Sequence, residues 1–237
     1  MKRFFSLLVV LVASETFAQD PGFVHHPAPV KPFYISESWY ETLKAKTPPP
    51  PTKDSPEQKE DEKELRALQV SRTPKECERA QREVKANLQS LYGPTDGILT
   101  EKDVKSLRPF FDKIQNDADF FVQKLKTETT RPRPFTSMKD LKPCVPKEVT
   151  NAYPSGHAVI AYLFAAVLTD IFPAKKQQFQ ERAQVIGKDR ILSGMHHPSD
   201  VETGKKLADF IYEEMKKSKI FQGEIKKIQN TPQTKNQ

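Results

Sequence analysis

The chain has 237 residues, 36% hydrophobic and 29% charged, with a formal net charge of +7. That basic balance is a solvated surface in which lysine and glutamate interleave. No basic cluster stands among aromatics and no reader motif is present, so nucleic acid is excluded as a partner. No stretch is long and apolar enough to cross a membrane, since the best, Ala158 to Phe172, is short and carries Asp170.

The chain opens Met1-Lys2-Arg3, runs almost wholly apolar from Phe4 to Ala13, and reaches small residues at Thr16 and Ala18. A positive start, a short apolar core and small residues read as a signal peptide over residues 1–18, cut after Ala18; the alternative is a buried N-terminal helix. The mature chain is then exported, with a net charge one unit lower and no membrane contact. Residues 19–56 read as a proline-rich arm bearing Phe23, Phe33, Tyr34, Trp39 and Tyr40, with one short helix over residues 36–46, ending at the run Pro48 to Pro51. His25 and His26 lie in this arm as surface residues.

Residues 57–222 read as one all-α domain, a helical bundle, because little in them alternates with strand period. Helices are expected from Pro56 to Val70 and from Pro74 to Tyr92, the second with Ala80, Val84, Leu88 and Leu91 on one face. A turn follows, then a helix capped by Thr100 and running to about Lys126, broken or bent at Pro109. Residues 127–150 form a long loop, and loops of that length in compact domains usually have a function. Three further helices span Gly156 to Phe172, Lys175 to about Arg190 and Pro198 to about Lys217. Residues 223–237 read as a polar C-terminal tail. The two cysteines, Cys77 and Cys144, are a disulfide candidate in an exported chain, the alternative being two separate buried thiols. Nothing near them completes a ligand set, so no metal site is expected.

The densest chemistry lies in three stretches. Lys126 stands seven residues before Arg133-Pro134; Tyr153-Pro154-Ser155-Gly156-His157 opens an apolar helix; Arg190, His196 and Asp200 follow at fixed intervals. Three cations, two histidines, a carboxylate and a Ser-Gly helix start fit chemistry on a phosphate group, where arginine forks and free helix amides hold the oxygens. Two histidines suit a nucleophile and a general acid, and Asp200 is spaced to orient His196 through Nδ1. The first spacing occurs twice, since Lys124 and Arg131-Pro132 satisfy it as well; Phe135 after the second pair favours Lys126 and Arg133.

These motifs resemble those of the type 2 phosphatidic acid phosphatase superfamily, which includes the vanadium haloperoxidases. Within it they are most similar to the bacterial class A non-specific acid phosphatases, whose pattern is Lys-x6-Arg-Pro, Pro-Ser-Gly-His and Ser-Arg-x5-His-x3-Asp. Arg131 to Phe135, Ser199 to Gly204 and the proline run extend the resemblance to roughly residues 48–215. It implies an acid phosphatase of broad specificity toward small phosphomonoesters. It also implies a phosphohistidine on His196, proton transfer by His157, and phosphate held by Lys126, Arg133, Ser155, Gly156 and Arg190. No cofactor and no metal would be needed, vanadate would inhibit, phosphotransfer would be a side activity, and the protein would be periplasmic and homodimeric. The chain departs from the pattern at Asp189, where the family has serine. That carboxylate either turns toward the site and neutralises Arg190 or points away and pairs elsewhere. A haloperoxidase and a non-catalytic phosphate-binding protein are the alternatives on the same fold.

Overall fold

The computed structural model describes residues 23–24 and 31–231, and several of its helices begin at a side chain that caps them. Residues 37–39 form a 3₁₀ turn leading into α1 (Tyr40–Lys46). Ser55 accepts from Gln58 N to start α2 (Pro56–Ser71), and Thr73 with Glu76 makes a capping box for α3 (Pro74–Arg82). Asn87 caps α4 (Leu88–Tyr92), and a Thr100–Asp103 box opens α5 (Glu101–Glu128). Then come α6 (Pro134–Ser137), α7 (Gly156–Ile171), α8 (Lys176–Leu192), α9 (Pro198–Met215) and α10 (Lys219–Gln229). Two short strands, β1 (Phe23–Val24) and β2 (Lys147–Glu148), pair in parallel, with Val24 opposite Glu148.

A helix that is apolar on every side must be covered on every side. Helix α7 is of this kind: Ala158, Val159, Leu163, Phe164, Val167 and Leu168 are all fully buried. It lies at the centre, packed against α5, α8 and α9. Phe111 and Phe121 of α5 are fully buried as well, and Phe111 meets Phe164 edge to face at 4.9 Å between ring centres. Burial of each such ring is worth about 1.5–3 kcal/mol. The N-terminal segment folds onto this same bundle: Asp117 of α5 accepts main-chain bonds from Phe33, Tyr34 and Ile35 at 2.6, 2.9 and 3.2 Å.

Four expectations are corrected. Residues 74–92 are two helices, because Glu83 turns inward to pair with Arg182 at 2.7 Å and Asn87 starts a new helix. Helix α5 is not broken at Pro109 but continues through it for 28 residues. The loop over residues 127–150 holds α6 and β2. The polar tail expected from residue 223 is helical as far as Gln229, because Phe221 and Ile225, one turn apart, are buried, and Phe221 packs on Tyr34 at 5.4 Å. The signal peptide and the pair His25-His26 lie outside the described residues. Cys77 and Cys144 are bonded, with Cα atoms 5.8 Å apart, and tie α3 to the segment ahead of α7.

Candidate active site

Each motif residue sits at or near the end of an element, where main-chain donors or acceptors are left over. Lys126 is in the last turn of α5 and Arg190 in the last turn of α8. Arg133 is the N-cap of α6, Ser155 caps α7, and Gly156 and His157 are the first residues of α7. His196 lies in the turn between α8 and α9, which Gly194 makes possible with φ of +80°. Asp200 stands in the first turn of α9. Helices α7 and α9 meet closely at this end. A Cβ on Gly204 of α9 would fall 2.7 Å from Ser155 O and 2.8 Å from Ala158 Cβ, and Ser155 N donates to Asp200 O at 3.0 Å.

The protonation of His196 follows from its partners. Nδ1 lies 3.3 Å from Asp200 Oδ2, and Nε2 lies 2.8 Å from Arg133 Nη1. A carboxylate oxygen accepts and a guanidinium only donates, so the proton is on Nδ1 and the lone pair on Nε2. Burial, then the charges of Arg133, Lys126 and Arg190, push His196 well below the usual histidine range, so the ring is neutral. Asp200 is itself fixed: Oδ2 accepts from His197 N at 2.8 Å, and Oδ1 accepts from Arg131 Nη1 at 2.6 Å. Arg131 also pairs with Asp61 at 2.6 Å.

This geometry separates the two registers of the first motif. Lys124 is exposed and lies over the Tyr40 ring, and Arg131 stands behind Asp200. Lys126 and Arg133 are buried at the site. Lys126 Nζ donates to Asn151 O at 2.6 Å, and burial, with Arg133 alongside, pushes its ammonium down to about 7. Asp189 points away from the site and binds Arg79 through both oxygens, at 2.6 and 2.7 Å. Arg190 is not its ion-pair partner, and Arg190 Nε and Nη1 are buried without a hydrogen-bond partner among the described residues. Ser155 Oγ accepts from Ala158 N at 3.4 Å, so its hydroxyl hydrogen remains for donation. His157 Nε2 donates to the carbonyl oxygens of Glu83 and Val84 at 3.1 and 3.2 Å.

One residue was not legible in the motifs. Glu148 of β2 spans the two arginines, with Oε2 2.5 Å from Arg133 Nη2 and Oε1 2.6 Å from Arg190 Nη2. Burial alone would raise its carboxyl. Arg133 and Arg190, with His157 and Lys126 beyond, outweigh burial and hold it well below the usual carboxylate range. Nothing in its local sequence, a lone acid between Lys147 and Val149, marks it. A cavity of about 50 Å³ is lined by Lys126, Glu148, Gly156 and His157. Larger clefts of about 460 and 610 Å³ lie elsewhere, under Tyr162 and Asp209 and under the proline run. Neither is lined by Lys126, Gly156 or His157, the three motif residues that the small cavity brings together.

Residues 117–208 match the PAP2 superfamily model. The chain is 27% identical over 138 residues to the non-specific acid phosphatase of Providencia stuartii, a stretch covering 56% of this chain and 55% of that protein. It is 24% identical over 220 residues to the non-specific acid phosphatase of Salmonella typhimurium, covering 87% and 86%. Among solved structures, a transmembrane PAP2-type phosphatidylglycerolphosphate phosphatase from Bacillus subtilis is similar in fold, with a TM-score of 0.50 and 20% identity over 76% of this chain and 92% of that one. No helix among the described residues is long and apolar enough to cross a membrane.

Proposed function

From the match of residues 117–208 to the PAP2 superfamily model, we propose that the chain is an acid phosphatase hydrolysing small phosphomonoesters through a phosphohistidine on His196. The observation that carries the reading is the tautomer of His196. Its Nε2 lone pair lies among Arg133, Arg190 and Lys126, with Asp200 behind Nδ1. A neutral imidazole so oriented is a nucleophile, and two arginines with a lysine that is charged below about pH 7 suit the charge of the phosphoryl group.

In the first step His196 Nε2 forms a bond to phosphorus as the ester P–O bond breaks, and protonated His157 gives its proton to the departing alkoxide. Because Nε2 of His157 is held on two carbonyls, the proton exchanged is the one on Nδ1. In the second step His157 takes a proton from water, the water oxygen bonds to phosphorus, and the P–N bond breaks to release inorganic phosphate. Asp200 stabilises the positive charge that His196 carries in between. The N-terminal residues serve as a signal peptide, and the mature enzyme works in the periplasm.

The pH dependence follows in sign. His196 is held well below its usual range, so it stays neutral and nucleophilic into acid. Lys126, pushed down to about 7, is a cation below that pH and loses its charge above it. Phosphate capture by the unliganded enzyme therefore weakens as pH rises through about 7, and kcat/KM peaks on the acid side. The test is hydrolysis of an aryl phosphate by the purified mature chain from pH 4 to 9, with EDTA, with vanadate, and beside His196→Ala. Metal-independent, vanadate-sensitive turnover peaking below pH 7 and lost in the variant is expected. Full turnover by His196→Ala, or a peak on the alkaline side, would overturn the reading.

A further inference from the structure

A phosphate group needs two oxygens on two guanidinium groups, and in this fold a side chain of the protein already makes that bridge. Glu148 Oε2 is on Arg133 and Oε1 is on Arg190, at 2.5 and 2.6 Å. The carboxylate is 8% exposed, and its main chain is fixed by the parallel pairing of β2 with β1. Carboxylate and phosphate are recognised by the same planar fork of donors, and both hydrogens of Arg133 Nη2 are already taken, by Glu148 Oε2 at 2.5 Å and Thr150 Oγ1 at 2.9 Å, so a phosphate oxygen takes that atom only by displacing one of them. The cavity beside Lys126, Gly156 and His157 is only about 50 Å³ with the carboxylate in place. The Arg133 guanidinium that Glu148 grips also covers the nucleophile, through Nη1 on His196 Nε2.

Resting on the phosphate reading of this site, we propose that Glu148 is an internal ligand of the phosphate cage and that substrate binds by exchange with it. The arriving phosphoryl oxygens take over Arg133 and Arg190, the carboxylate swings out of the bridge, and Arg133 turns from His196 Nε2 to the substrate. The nucleophile is thereby uncovered only as phosphate arrives. When phosphate leaves, Glu148 returns, so product is displaced and is not retained. Between turnovers the carboxylate offsets the mutual repulsion of Arg133, Arg190 and Lys126, which are otherwise buried cations close together. The competing role for Glu148 is a fixed brace, holding both arginines in register while phosphate binds beside it.

The two roles predict opposite signs for Glu148→Gln. The amide keeps the size of the side chain and removes its charge. An exchanging ligand, once weakened, lets inorganic phosphate bind roughly tenfold to a hundredfold more tightly, the worth of a charged hydrogen bond. KM for an aryl phosphate and the constant for inhibition by phosphate fall with it. A lost brace leaves phosphate affinity equal or weaker, and that result overturns the proposal. Glu148→Asp, which keeps the charge but is one methylene too short to span both arginines, should tighten phosphate binding by a smaller factor. Calorimetry with inorganic phosphate on the full chain reads these constants without turnover. Tighter binding in a protein that hydrolyses nothing sinks the catalytic reading alone, and active enzyme with unchanged phosphate affinity sinks the exchange alone. Should the variants not fold, wild-type crystals with vanadate decide it: Glu148 leaves both arginines if it exchanges, and stays between them if it braces.

Discussion

Asp189 is the residue at which this chain departs from the motif it resembles, and its carboxylate pairs with Arg79 and not with the neighbouring Arg190. Its carboxylate is fully buried and bound at both oxygens by Arg79, whose side chain is 27% exposed. Replacing it by the serine of the resembled motif leaves Arg79 without its partner, in a position where water reaches only part of the guanidinium. Asp189→Ser should therefore lower the unfolding free energy by about 3 kcal/mol, the low end for a broken buried pair, read from urea melts. Its kcat/KM should stay within a few-fold, since Arg190 gains and loses no partner. A large change in kcat with no change in stability would mean that Asp189 acts on Arg190 directly. The same scale explains what could be read in advance. Lys126, Arg133, His157, Arg190, His196 and Asp200 are legible because each sits at an element end whose local start or stop signal fixes the spacing. Arg131 was legible only as a rival for Arg133; that it braces Asp200 with Asp61 depends on contacts 70 and 69 positions away in sequence, to Asp61 of α2 and Asp200 of α9, which no spacing encodes. Glu148 has the same difficulty, because its meaning comes wholly from two arginines on other elements.

At the scale of elements, the site depends on how closely α9 approaches the start of α7. Gly204 permits it: an added methyl would lie 2.7 Å from Ser155 O and 2.8 Å from Ala158 Cβ, contacts that backbone cannot relieve without moving one helix. Gly204→Ala should part the two helices, costing about 1–3 kcal/mol as overpacking does. It should also lower kcat, because α9 carries Asp200 and α7 carries Ser155, Gly156 and His157. Gly223→Ala is the internal comparison. It lies within α10 with nothing within 4 Å of the new methyl, and should raise the melting temperature slightly, by the ~0.5–1 kcal/mol a helical alanine gains over glycine. Equal effects of the two changes on melting and on kcat would sink this account of the α7–α9 contact. Helix starts were the legible part of the fold, since Ser55, Thr73, Thr100 and Ser155 each cap the helix they announce. The break after Arg82 was not, because the apolar period of Ala80, Val84, Leu88 and Leu91 runs straight across it. The inward pairing of Glu83 with Arg182, a tertiary contact, coincides with the break, and Asn87 then caps a new helix. The end of the domain was misread for the opposite reason: α10 is mostly polar, and the buried Phe221 and Ile225 are a narrow stripe.

For the molecule as a whole, the segment between α6 and α7 is the least regular part of the site's frame, and it carries Glu148 close to Arg133. It is held from outside by cross-links to the front of the bundle. Arg72 donates to Leu192 O and Lys142 O at 2.7 Å each, Gln81 Nε2 donates to Cys144 O at 2.9 Å, and Cys144 is bonded to Cys77 of α3. The disulfide closes a loop with a sequence separation of 67, and on the chain-entropy model such a closure stabilises the native state by about 4 kcal/mol. Removing both cysteines as Cys77→Ser/Cys144→Ser should therefore lower the melting temperature by roughly 10 °C for a chain of this size. The loss should also be uneven. Helix α7 keeps its cover of α5, α8 and α9, so its amides should exchange only with global unfolding, while amides near residues 141–148 should exchange faster through local opening. Because that segment positions Glu148 against Arg133 and Arg190, the double variant should also bind inorganic phosphate with altered affinity at temperatures where it remains folded. Uniform loss of protection across α7 and residues 141–148 alike would show instead that the bond stabilises only through the unfolded chain, and that the site's frame stands without it.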